Sequence, residues 1–83
     1  MAIDYRGLRS LTARELIAAL HRDGFHFVRQ RGSHRRYAHA DGRRVTVAPH
    51  GGGDTFTMKT LKSMLETQAN WKTSDLLRLG LIR

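Results

Sequence analysis

Apolar and polar positions change period several times along the chain, and each change marks an element. Over residues 12–23, Leu16, Ile17 and Leu20 recur on one helical face while Arg14, His21 and Arg22 fall elsewhere, the pattern of an amphipathic helix. Thr12 and Glu15 stand at the S/T-x-x-E spacing of a capping box, with Leu11 and Leu16 at the positions of a hydrophobic staple. Gly24 offers the left-handed stop. From there the period falls to two. Residues 25–31, 34–39 and 43–48 alternate, separated by Gly32-Ser33 and Asp41-Gly42, and predict three antiparallel strands. Two registers are open for the second hairpin. A two-residue Asp-Gly turn pairs Arg36 with Val47, whereas a three-residue Ala40-Asp41-Gly42 loop with a bulge at Gly42 pairs Tyr37 with Val45. The second is preferred. It turns Tyr37, Val45 and Val47 to a helix-covered face and leaves His34, Arg36, Arg44 and Thr46 on the open one, with Arg35 snorkelling at the edge.

A connection of Pro49, His50 and three glycines leads to a second helix. Thr57 is its expected cap, Phe56 and Leu61 its staple, and Leu61, Met64, Leu65 and Ala69 its apolar face. Trp71 is placed to plug the core edge. Thr73 or Ser74 can cap a short final helix through Leu76, Leu77 and Leu79, which Gly80 stops. The order α-β-β-β-α, with a possible short C-terminal helix, predicts an α+β fold in which the helices pack on one face of a three-stranded antiparallel sheet.

Length and composition narrow the function. A chain of 83 residues buries only about 60 to 65% of its unfolded surface and has room for one core, so one domain over 1–83 is expected. With no cysteine, disulfide-stapled folds, cysteine zinc modules and thiol enzymes are excluded, and a reducing cytoplasm suits the chain. The apolar runs are too short to predict a membrane span or an export leader. Fifteen Lys and Arg against seven acids give a net charge of +8, and twelve of the fifteen are arginine. Arginine's planar fork grips phosphate bidentately and stacks on bases, so RNA or DNA is the partner that the charge favours.

Five histidines are candidates for chemistry. His21 and His26 read as surface residues. His34 and His39 stand on one strand at odd spacing and face opposite sides of the sheet, and no His-Glu-x-x-His, cysteine or paired-carboxylate pattern completes a ligand set, so no metal or other cofactor is expected. His34 differs by its neighbours, because Arg29, Arg31, Arg35, Arg36, Arg43 and Arg44 place six arginines within sixteen residues. RNA cleavage asks for a base at the 2′-hydroxyl, an acid at the departing 5′-oxygen and cations at the phosphoryl oxygens. His34 with Arg36 and Arg44 can supply these. Gly32 lets an RNA backbone approach closely, Ser33 can donate to a phosphate, and Arg31 and Arg43 complete the expected RNA-binding set. His50 is a second proton-transfer candidate if its loop folds back toward Gly32.

The run Arg29-Gln30-Arg31-Gly32-Ser33-His34, followed by residues 39–47 around Asp41-Gly42, resembles the HicA family of toxin ribonucleases over about residues 11–69. The resemblance implies a double-stranded-RNA-binding-domain-like fold, His34 as the catalytic residue of a Gly-Ser/Thr-His motif, metal-free cleavage of mRNA, and silencing by a HicB-type antitoxin. Two features depart from it. Ala40 stands where many members resemble His-Pro-Asp-Gly, and the second helix opens Phe56-Thr57-Met58 rather than with a Pro-Gly-Thr-Leu start. Residues 70–83 form a C-terminal extension beyond the family's usual end, whose leucines serve core packing or a contact with antitoxin or a second copy. A non-catalytic RNA-binding module, or a protein-interaction domain using the basic face, are the alternatives to the enzyme.

Overall fold

The computed structural model describes residues 3–48 and 53–83. A 3-10 turn (Tyr5–Leu8) precedes α1 (Ala13–Arg22), β1 (His26–Arg31), β2 (His34–Ala38), β3 (Arg44–Val47), α2 (Met58–Lys62) with a π-helical continuation (Ser63–Gln68), and α3 (Thr73–Arg78). The three strands form one antiparallel sheet in the order β1-β2-β3, and the architecture is α+β.

Local chemistry sets the ends of α1. The Thr12 hydroxyl accepts from the Glu15 N–H at 3.2 Å and the Glu15 carboxylate accepts from the Thr12 N–H at 2.9 Å, so both halves of the capping box form. At the other end Gly24 N–H reaches the His21 carbonyl and Phe25 N–H the Leu20 carbonyl, the paired bonds of a Schellman motif. Gly24 has φ +103°, and a Cβ there would lie 2.9 Å from His39 Nε2. That imidazole cannot yield freely, since it is bonded to the Asp23 carbonyl at 2.8 Å and accepts the Asp41 N–H at 3.1 Å. Gly24→Ala therefore combines left-handed strain with a displaced ring. A loss of about 1–3 kcal/mol is expected in denaturant unfolding, whereas a neutral result would mean that the helix end relaxes without the ring.

The second hairpin adopts the preferred register. Tyr37 pairs with Val45 and Arg36 with Thr46, while Gly42, at φ +100°, closes a three-residue loop between His39 and Arg43. Tyr37, Val45 and Val47 are buried under α1 and α2 together with Leu16, Leu20, Leu61, Met64 and Leu65. The core also runs past both ends of the 11–69 segment, because Tyr5, Leu8, Trp71, Leu76 and Leu79 belong to the same cluster. Tyr5 is held by a hydrogen bond from its hydroxyl to Glu66. α3 begins one residue earlier than expected, with Lys72 at the cap position and its N–H donating to the Asp75 carboxylate at 2.9 Å. No described helix is long and apolar enough to cross a membrane.

Two irregularities depart from simple periodicity. The second helix widens into a π-helical turn, with the Ala69 N–H bonded to the Met64 carbonyl five residues back, which keeps Leu61, Met64, Leu65 and Ala69 all buried. It also carries Gln68 to the edge of β3, where its side-chain oxygen accepts the Thr46 N–H at 2.8 Å. The other edge, β1, buries none of its residues, and it carries a bulge between Phe27 and Arg29.

Candidate nucleic-acid interface

The bulge decides what the open face of the sheet presents. Phe27 pairs with Tyr37, a residue turned toward the helices, yet Arg29 pairs with Arg36 and Arg31 with His34, both on the opposite face. Strict alternation from Phe27 would send Arg29 and Arg31 to the helix side. The extra residue, Val28, resets the phase and turns both arginines outward. The open face then carries successive cross-strand rows: Arg31 with His34, Arg29 with Arg36 and Thr46, and Ala38 with Arg44. Neighbouring rows are two residues apart, about 6.6 Å along the strands.

His34 opens β2 directly after a two-residue turn. Gly32 sits at φ +60° while Ser33 keeps a negative φ, as a tight type II′ hairpin requires, and the Gln30 side-chain amide donates to the Gly32 carbonyl at 2.9 Å. The imidazole is thus carried by a short, pinned hairpin and stays exposed. Arg29, Arg31, His34, Arg36 and Thr46 line one open depression on this face.

Electrostatics on the face is one-sided. None of the chain's seven acidic residues lies on a strand. Among the described residues, no side-chain hydrogen bond or ion pair engages Arg29, Arg31, Arg36, Arg44 or His34, although Arg6, Arg43 and Arg78 are all paired with carboxylates. Four guanidinium groups without an internal acceptor, three lining the depression of His34 and the fourth, Arg44, one row beyond Arg36, can bind a run of phosphates. Each arginine offers a fork of donors, and together they can neutralise charge developing at a phosphorus that His34 reaches.

Of the residues expected to bind RNA, Arg31, Gly32, Ser33, Arg36 and Arg44 come together on this face or at its hairpin, and Arg43 does not. The Arg43 guanidinium points to the helix side. It pairs with Asp41 at 2.7 Å and Asp23 at 3.2 Å, donates to the Ala69 carbonyl at 2.6 Å and stacks 4.9 Å from the Phe25 ring centroid. That side chain holds the hairpin to the helices. Its position after the Asp-Gly loop carried the signal, since Asp41 and Gly42 bend the chain so that residue 43 faces back toward its own loop carboxylate. Arg29 joins the face without having been singled out as a site residue; only the bulge reveals it. His26 also stands on this side, opposite Ala38. His39 is packed edge-on against Phe25 at 5.1 Å on the far side. His50 lies outside the described residues. Among those described, no group of three His, Asp or Glu side chains is arranged to hold a metal ion.

The fold and this face define a small α+β protein that presents exposed histidines, His34 at the hairpin and His26 at the far end of β1, within a field of unpaired arginines. The chain belongs to the HicA toxin family: the model of the HicA toxin of bacterial toxin–antitoxin systems matches residues 13–71. That membership makes it the toxin side of a toxin–antitoxin partnership, in a family known in general for ribonuclease-type activity. No curated protein matches the chain.

Proposed function

We propose that this protein is a metal-independent endoribonuclease that cuts mRNA in the cytoplasm with His34, and that a HicB-type antitoxin silences it by covering the arginine face. The observation that carries the reading is the shared depression of His34 with Arg29, Arg31 and Arg36. The imidazole of His34 takes the proton of a ribose 2′-hydroxyl as the 2′-oxygen bonds to phosphorus. The P–O5′ bond then breaks, and the imidazolium returns the proton to the departing 5′-oxygen, leaving a 2′,3′-cyclic phosphate and a 5′-hydroxyl. Arg29, Arg31 and Arg36 meet the charge on the non-bridging oxygens. Arg44 and the Gly32-Ser33 turn hold neighbouring phosphates. Phosphate contacts position the strand and do not read bases, so this face binds single-stranded RNA of varied sequence.

The test is cleavage of a labelled single-stranded RNA in excess EDTA, with a matched oligonucleotide carrying one 2′-deoxy sugar at the mapped cut. The expected result is a cyclic-phosphate end on the RNA and a deoxy substrate that is bound and left whole. Cleavage at the deoxy site, or activity that EDTA abolishes, would overturn the mechanism.

Binding has its own signature. Removing one phosphate contact from a single-strand complex lowers the slope of log affinity against log salt by about 0.7, so Arg36→Ala should bind more weakly and with that shallower slope. Arg43→Ala should keep the wild-type slope and show a lowered Tm instead. Equal slopes for Arg36→Ala and wild type would remove Arg36 from the phosphate path.

A further inference from the structure

A second depression adjoins the one around His34 and differs from it in chemistry. It is lined by Val28, Arg29, Arg36, Ala38 and Arg44, so it shares the Arg29–Arg36 row with the first. None of its lining residues is a histidine or a carboxylate, although His26 stands opposite Ala38 on the same face. Its apolar part consists of the Ala38 side chain and the valine of the bulge, which has no cross-strand partner and is 49% exposed. Valine is not needed there by the core, since none of β1 is buried. Three guanidinium groups surround this small apolar surface.

A phosphate would be poorly served by an alanine and a valine, which offer it no hydrogen bond. A nucleobase suits the lining well: its faces are apolar and polarizable, and arginine stacks on them. The spacing agrees. The two depressions are offset by one cross-strand row, about 6.6 Å, a step that a single nucleotide of an extended strand can span. We infer that this depression is a nucleobase subsite, which seats the base of a nucleotide adjoining the one cut and so sets the scissile phosphate against His34. The inference rests on the reading of this face as an RNA site, and it adds a contact with a base to the contacts that the arginines make with phosphate. Because the contact is stacking and apolar burial without a fixed donor–acceptor pattern, it holds any base and prefers the larger purines.

The test joins a substrate change to a protein change. Abasic ribonucleotides are placed singly along an RNA with a mapped cut, and each RNA is cleaved by wild type and by Ala38→Leu, a substitution that fills the depression at an outward strand position and whose folding is checked by thermal melting. One position beside the cut should be sensitive in wild type, with KM raised about 5- to 150-fold, the range that stacking of one base covers. Ala38→Leu should raise KM for the intact RNA similarly and lose nothing more on the abasic substrate. The same scan is run as binding with His34→Ala, alone and combined with Ala38→Leu, which separates the subsite from the cleavage reading. If wild type fails to cut RNA but the binding scan still shows one sensitive position that Ala38→Leu erases, the subsite stands and the nuclease reading falls. A flat abasic scan in both assays, losses that multiply, or an Ala38→Leu defect confined to antitoxin binding would each overturn the subsite.

Discussion

His34→Ala should lower RNA cleavage by about 10²- to 10⁴-fold while RNA affinity, measured at matched salt, changes only a few-fold. The asymmetry follows from where the side chain sits. It is exposed, begins β2 beside a two-residue turn and contributes nothing to the core, so its removal leaves no cavity and should not move the Tm. On the proposed reading, binding rests on the unpaired guanidinium groups of Arg29, Arg31, Arg36 and Arg44, all of which remain. On the proposed mechanism what is lost is the group that moves a proton between the 2′- and 5′-oxygens, and the other described residues of that depression, three guanidinium groups and the Thr46 hydroxyl, do not replace it as a base. His34→Gln sharpens the test by keeping a hydrogen-bonding side chain without proton transfer, and it should be as inactive as alanine. Cleavage by either variant at the wild-type rate would show that His34 only binds, and a parallel loss of affinity and rate would make it a positioning group.

Much of this arrangement could be read from the chain, for reasons that are local. The capping box at Thr12 and Glu15, the stop at Gly24 and the loop ending in Gly42 involve residues three or fewer apart, and each residue type has one dominant use there. The loop at Gly42 fixed the β2–β3 register, and with it the company of His34, Arg36 and Arg44. What was hidden depended on partners far away in sequence. Val28 looks like any strand valine, and only its place opposite β2 makes it a bulge that brings Arg29 and Arg31 round. Arg43 was half legible, since strand alternation and its own loop carboxylate Asp41 turn it from the face of Arg44, but its second partner, Asp23, twenty residues earlier, was not. The turn at Tyr5–Leu8 is capped locally by Asp4, which accepts the Arg6 N–H at 3.0 Å, but its packing answers to Glu66, and the π-helical turn answers to the β3 edge through Gln68 with no local signature.

Asp23→Ala should strongly destabilise the fold without touching the arginine face, at about 3–5 kcal/mol. The Asp23 side chain is only 7% exposed. It accepts from Trp71 Nε1 at 2.8 Å and Arg78 at 2.7 Å and pairs with Arg43 at 3.2 Å, so one carboxylate joins the end of α1, the β2–β3 loop, the segment after α2, and α3. Without it Arg43, 23% exposed, keeps only Asp41 and the Ala69 carbonyl, and the buried indole N–H of Trp71 loses its acceptor. A Tm lowered by roughly 15 °C or more follows for a chain of this size. Arg78→Ala, which removes a partner that is 51% exposed, should cost less than about 1 kcal/mol. Acid provides a second handle. Burial raises the Asp23 carboxyl, but hydrogen bonds from Trp71 and Arg78 and the charges of Arg43 and Arg78 outweigh it and hold the group below its ordinary value. A depressed folded pKa contributes stability above the unfolded value of about 4 and loses it as pH falls further. Asp23→Asn, which keeps the shape and drops the charge, should therefore be less stable than wild type near neutrality and lose less on acidification, and parallel acid limbs would remove Asp23 as the sensor. The consequence for the site is indirect but measurable. Asp23 and Arg43 anchor the loop whose register sets Arg36 and Arg44 on the same face as His34, so Asp23→Ala should cut RNA nearly normally in the cold and lose cleavage and binding together as it melts, whereas His34→Ala fails at every temperature with its fold intact.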